Sequence, residues 1–199
     1  MSPQILEFDE LSHTYRIGGR VIDSVTQVLT KAGLIDTQWF TEEGKIRGNA
    51  VHKAIFYDLQ NDLNWARLHP VIKPYVEAWR EFRTKTRLIP IFFEKRVYNP
   101  IHDYTGTLDL LCKINGRNWL IDYKTGDSRH AHWQTAGYKY TPEILPYLPN
   151  RATLKLNNNG SFKFIEHPND SGDFAEFINA LRSVKEFENV FSKIFDNKF

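Results

Sequence analysis

Cysteine is almost absent from this 199-residue sequence, which has Cys112 and no other. No intramolecular disulfide can therefore form, and one chain can build neither a cysteine-based zinc site nor an iron–sulfur cluster. Long apolar runs are missing too, and nothing approaches the roughly 20 residues that a membrane-spanning helix needs. The opening Met1-Ser-Pro-Gln-Ile-Leu-Glu7 has neither a basic nor an apolar region, so no signal peptide is expected. These absences together set the expectation of a cytoplasmic, intracellular protein with no membrane partner. Excess charge is lacking as well: 26 Lys+Arg against 24 Asp+Glu leave a net +2, so the chain as a whole is no polyanion magnet.

What is present is ordinary for a globular protein, with 41% hydrophobic and 25% charged residues. The length suits one domain, residues 1–199. Within it, residues 1–88 read as an N-terminal annex of hairpin and helices, and 89–199 as a sheet core. In the annex, His13–Ile17 and Arg20–Ile22 read as strands around Gly18-Gly19. Ser24 and Gln27 form a capping box ahead of a short helix that Gly33 ends. A longer helix spans about Thr41 to Leu59, with Val51, Ile55 and Leu59 at intervals of four. Pro70 and Pro74 lead into another, whose stripe of Tyr75, Trp79 and Phe82 reads as core.

In the second part, Ile91–Tyr98 is a strand and Tyr104–Lys124 a hairpin. A helix from about His130 to Tyr140 follows. Arg151–Leu156 and Ser161–Ile165 form a second hairpin, and a closing amphipathic helix runs from Asp170 to about Phe195. In that helix Phe174, Phe177, Ile178, Leu181, Val184 and Phe191 point inward. The class is α/β (α+β), a central mixed sheet flanked by helices.

The hairpin holds the chemistry. Asn115-Gly116 is the strongest short signal for a type I′ turn. If Ile114 pairs with Arg117, Asp109 falls opposite Asp122, and Thr107 opposite Lys124. Alternation then puts Asp109, Asp122 and Lys124 on one face, and Leu108, Leu110, Cys112, Ile114, Trp119, Ile121 and Tyr123 on a core face. Cys112 is thus a small core residue rather than a catalytic thiol. Opposed carboxylates repel. A cation or a shared proton between them answers that repulsion, a divalent metal being the simplest answer, and Lys124 beside it can meet an anionic substrate. The bland alternative is an exposed face of solvated charges.

Basic residues crowd two stretches, Arg80–Arg96 and Lys45–Lys53. Each reads either as a phosphate track or as a solvated face.

Four ordered motifs complete the pattern: Gly48-Asn-Ala-Val-His52, Gly106-Thr-Leu-Asp109, Asp122-Tyr-Lys124 and Gln134-Thr-Ala-Gly-Tyr138. In this order they resemble the PD-(D/E)xK nuclease superfamily, in its RecB-like branch with the CRISPR-associated adaptation nucleases. Ser24–Leu29 also resembles the N-terminal region of that branch. The resemblance covers about Ser24 to Tyr140 and implies a restriction-endonuclease-like core. Many members carry four cysteines for an iron–sulfur cluster; with one cysteine, this chain has no such cluster.

The resemblance implies that His52, Asp109, Asp122 and the Tyr123 carbonyl bind Mg²⁺ or Mn²⁺, with Asp109, Asp122 and Lys124 catalytic. On the residues alone, His52 reads as a hydrogen-bonded helix histidine. Glu94 is either an acid supporting the site or a plain surface glutamate. Gln134 and Tyr138 share a helix face, where they bond phosphate or support the lysine, or else simply pack. Lys45, Arg47, Arg129 and His132 are further candidates for DNA contact. Trp39, Phe40 and Tyr57 either stack on bases or pack in the core.

The expected function is a metal-dependent deoxyribonuclease, an exonuclease of recombination, repair or phage DNA metabolism. Its expected partners are DNA ends, single- or double-stranded, and recombination or replication proteins. A structure-selective endonuclease, an inactive nucleic-acid-binding module on the same fold and a hydrolase of another phosphate ester are the alternatives.

Overall fold

A computed structural model of the chain describes residues 5–10, 12–36, 38 and 41–196. Trp39 and Phe40 lie outside the described residues. The annex is a three-stranded antiparallel sheet of β1 (Leu6–Asp9), β2 (Thr14–Ile17) and β3 (Arg20–Ile22), followed by α1 (Val25–Lys31). Strand β1 was not anticipated. Ser24 caps α1 in the expected capping box.

Helices α2 (Glu42–Leu59) and α3 (Lys73–Thr86) come next. The main sheet is built from β4 (Ile89–Asn99), β5 (Tyr104–Ile114), β6 (Arg117–Lys124), β7 (Asn150–Leu156) and β8 (Phe162–Glu166), in that spatial order. Helix α4 (Ala131–Lys139) crosses from β6 to β7, and α5 (Asp170–Asp196) closes the fold. The β6–β7 pair is parallel and every other neighbouring pair antiparallel, so the sheet is mixed. The parallel pair of this sheet is thus the one joined through a helix, because antiparallel neighbours need only a turn.

Helices cover both sheet faces. On one, α2 and α3 bury Val51, Ile55, Trp79 and Phe82 against Leu110, Cys112, Ile121 and Tyr123. On the other, α1, α4 and α5 bury Val28, Leu29, Tyr138, Phe177 and Leu181 against Leu108, Leu111 and Leu120. Cys112 is fully buried, and burial pushes its thiol up to about 12. The stripe of Tyr75, Trp79 and Phe82 is core. Phe191 is not: it is 52% exposed and stacks on Phe187, past Val184, the last buried position of α5 among the described residues.

Two buried ion networks tie the layers. Asp58 of α2 accepts from Trp79 Nε1 at 2.9 Å, Arg80 Nε at 2.8 Å and Arg83 Nη1 at 3.0 Å, so two members of the basic stretch hold α3 to α2. Arg151 of β7 is 1% exposed. It donates to Asp170 at 2.6 Å, Asp173 at 2.7 Å and the His132 carbonyl at 2.6 Å, joining β7, α4 and α5. Removing the guanidinium takes a charged donor away from buried Asp173 and from the His132 and His167 carbonyls. Arg151→Ala should therefore cost about 3–5 kcal/mol, read as a lowered denaturant midpoint at unchanged slope. Arg151→Lys should recover little, because one ammonium cannot span the separate acceptors.

Candidate metal centre

The Asn115-Gly116 turn adopts the left-handed conformations that type I′ demands, with φ 49° and 79°. The expected register follows, from Ile114↔Arg117 to Leu110↔Ile121. It then stops one pair short of the aspartates. Asp109 and Asp122 are not ladder partners, nor are Thr107 and Lys124. Instead Asp109 Oδ2 accepts the Tyr123 backbone N–H at 2.7 Å. A side-chain oxygen has replaced a ladder bond, and β6 parts from β5 while keeping β7 beside it as far as Lys124.

The face assignment needs a matching correction. Leu110, Cys112, Ile114, Trp119, Ile121 and Tyr123 form one cluster as expected, but Leu108 belongs to the other. Alternation breaks between Leu108 and Leu110. Opposite that break Glu94 takes φ 47°, and Glu94 and Asp109 drop out of the β4–β5 register. The irregularity frees both carboxylates to turn toward α2.

There they meet His52. Its Nδ1 lies 3.4 Å from Asp109 Oδ1 and 3.9 Å from Glu94 Oε1. The three ligand atoms lie within 4.8 Å of one another. Glu94 thus stands beside His52 and Asp109 as a third group that could hold a metal. Nε2, the other ring nitrogen, faces the Tyr123 carbonyl at 3.2 Å. That carbonyl thus holds the imidazole from the side away from the carboxylates. Asp122 also falls outside the group. Its carboxylate pairs with Lys124 Nζ, 3.1 Å from Oδ1 and 2.9 Å from Oδ2.

One nitrogen and two carboxylate oxygens fit a divalent metal ion. Protonation in the metal-free site fits the same reading. Burial opposes a charge on His52, yet Asp109 and Glu94 outweigh it and lift its pKa to about 10. Burial would raise Asp109, but His52, Lys124 and the Tyr123 N–H hold it below the ordinary range. Burial raises Glu94. Burial also lifts Asp122 to about 6, with Asp109 adding to it and Lys124 opposing. The carboxylates that favour a proton on His52 would favour a metal cation in the same way.

Gln134 and Tyr138 of α4 are buried. Gln134 Nε2 donates to Thr26 Oγ1 at 2.9 Å. Tyr138 lies against Gly106: a Cβ there would come within 2.5 Å of its Cε1. The glycine of one motif is therefore the seat of the tyrosine of another. Arg47 lies 5.7 Å over the Tyr75 ring, and its Nε is buried without a hydrogen-bond partner among the described residues. Lys45 pairs with Glu42, and exposed Arg129 with Asp127. His132 turns instead toward Trp133 and His167. Tyr57 is half-buried and meets Phe56 edge-on. Sequence reasoning missed Tyr15, whose hydroxyl meets Thr107 Oγ1 at 2.7 Å and fastens the annex to the strand that carries Asp109. Its only trace was the alternation of Thr14–Ile17.

No protein-family model matches this sequence, and no curated protein matches it either. Among solved structures the chain is similar to "Crystal Structure of LHK-Exo in complex with dAMP", at TM-score 0.43 and 14% identity over 89% of this chain and 92% of that one. It is also similar to "Crystal structure of SSO0001", at TM-score 0.35 and 12% identity over 82% and 84%. Both likenesses are distant, and the reading of the site rests on this chain's own residues.

Because the pKa of His52 lies above its unfolded value, its pairing stabilises the metal-free fold fully below about pH 6.5. That contribution is lost as pH rises through about 10. Metal must displace the same proton, so Mn²⁺ affinity should strengthen by up to about tenfold per pH unit below that value. Calorimetry in buffers of different ionisation enthalpy should find about one proton released per ion at about pH 8. Separately, Gly106→Ala should displace Tyr138 and cost about 1–3 kcal/mol in thermal or denaturant unfolding.

Proposed function

We propose that this protein is a metal-dependent phosphodiester hydrolase acting on DNA, working as an exonuclease. One observation carries the reading: a His52–Glu94–Asp109 donor group stands at a fork in the sheet, with the Asp122–Lys124 pair on the adjoining strand. The four ordered motifs and their resemblance to the PD-(D/E)xK nucleases support it. A role in recombination, repair or phage DNA metabolism, and the proteins of those processes as partners, belong to the same proposal.

The division of labour follows from the contacts. His52, Glu94 and Asp109 would hold Mg²⁺ or Mn²⁺, and the Tyr123 carbonyl would keep the imidazole turned toward it. The ion, when bound, supplies Lewis-acid polarisation of a phosphoryl oxygen and acidification of a water. Asp122 would complete the anionic side once ionised, which its pKa of about 6 permits at neutral pH. Lys124, tethered by Asp122, would place a cation against the charge that develops on the phosphate. Gln134 and Tyr138 would fix this arrangement from beneath, through Thr26 and Gly106.

Cleavage of end-labelled linear DNA should require Mg²⁺ or Mn²⁺ and stop with EDTA. Lys124→Ala should lower the rate by about 10²–10³-fold, and Asp122→Ala by at least as much. Covalently closed circular DNA should survive, whereas a structure-selective endonuclease would nick it. Metal-independent cleavage, or full activity in both variants, would sink the proposal.

A further inference from the structure

Beyond the site, the main sheet carries a row of charge in which only the first member, Lys124, has a role above. Lys124, Lys155 and Lys163 lie on three adjacent strands in a single rung: Lys124 pairs with Lys155, and Lys155 with Lys163. Their chain neighbours Tyr123, Leu154 and Leu156 belong to the core under α2 and α3, and Phe162 and Phe164 pack against it. Side chains alternate along a strand. The three lysines therefore project from the opposite face, which also carries Asp122.

Adjacent strands stand about 4.8 Å apart, and like charges set directly opposite are destabilising. Two cations following a third across neighbouring strands is an arrangement that folding alone disfavours. Asp122 answers Lys124. Among the described residues, neither Lys155 nor Lys163 makes an ion pair, although many other cations of this chain do. Burial does not hide them either: Lys155 is half-buried and Lys163 exposed. The row starts at the site and ends at the free edge of the sheet, since β8 is its outermost strand.

We propose that this rung is a phosphate track, which carries the backbone of one DNA strand from the site across β7 and off the sheet at β8. The inference rests on the nuclease reading above and adds a direction to it. Successive phosphates of one strand form a line of single negative charges, and a single line of flexible ammonium groups answers it. No second row parallels it on these strands: the rung before it is Asp122, Thr153 and Ile165.

The test uses the full chain and a labelled oligothymidylate, with binding measured in EDTA over a range of salt. Each single-strand phosphate contact contributes about 0.7 to the slope of log K against log salt. Lys155→Gln with Lys163→Gln should flatten that slope by about 1.4 and weaken binding about 25-fold at about 0.1 M salt. Hydrolysis of a dinucleotide, which reaches only the site, should not change. Lys155→Arg with Lys163→Arg should restore both slope and affinity, which separates charge from folding. Wild-type affinity and slope in the glutamine pair, with cleavage intact, would overturn the track and leave the nuclease reading standing. Lysine-dependent binding with no cleavage by any form would uphold the track and sink the nuclease reading. An effect confined to duplex DNA would overturn the single-strand assignment.

Discussion

The site depends on one hydrogen bond, from the Tyr123 backbone N–H to Asp109 Oδ2 at 2.7 Å. At this point the β5–β6 ladder ends, and a buried N–H without a partner would be costly. The carboxylate supplies the partner, so β6 can leave β5 and run on beside β7. The parting has three consequences. It turns the other oxygen of Asp109 toward His52, sets the Tyr123 carbonyl against the far side of the same imidazole, and leaves Asp122 and Lys124 on a strand that β5 no longer covers. A regular hairpin would have locked both aspartates into the ladder and left His52 facing a closed sheet.

The electrostatics depend on the same fork. Three carboxylates converge within a largely buried space, where His52 and Lys124 answer them and Arg96 acts on Glu94 as well. The two differ in how replaceable they are. Lys124 is tethered to Asp122 within one strand, whereas the charge on His52 is a single labile proton between Asp109 and Glu94. Exchanging that proton for a divalent ion adds positive charge where the carboxylates need it and leaves the lysine in place. The row from Lys124 to Lys163 would extend the positive field to the sheet edge, and would do so without drawing on the charges that hold the ion.

Much of this was legible in the sequence, for local reasons. Asn115-Gly116 set the turn, the turn set the register, and alternation sorted Leu110, Cys112, Ile114, Trp119, Ile121 and Tyr123 onto one face. Ser24 with Gln27 marked the start of α1 because capping is short-ranged. The failures share a different cause. Nothing near Glu94 announces a left-handed residue, so the break that moves Leu108 to the other core and turns Glu94 toward His52 was invisible. The Asp109–Tyr123 bond joins residues that alternation alone treats as independent. The network of Arg151 depends on Asp170 and Asp173, which reach it only after α5 has packed. The apolar period of α5 continues through Phe191 although the core it faces has already ended. Ordered motifs brought His52 to notice, but only the fold shows that its partners are Asp109 and Glu94 rather than Asp122.

On the proposed reading, a divalent ion replaces the proton that Asp109 and Glu94 favour on His52. Anomalous diffraction from crystals equilibrated with Mn²⁺ addresses it without any assay of activity. A peak at about 2.0–2.3 Å from His52 Nδ1 and from one oxygen each of Asp109 and Glu94 is the predicted result. A peak bound elsewhere, or none at a saturating Mn²⁺ concentration above neutral pH, would contradict the account.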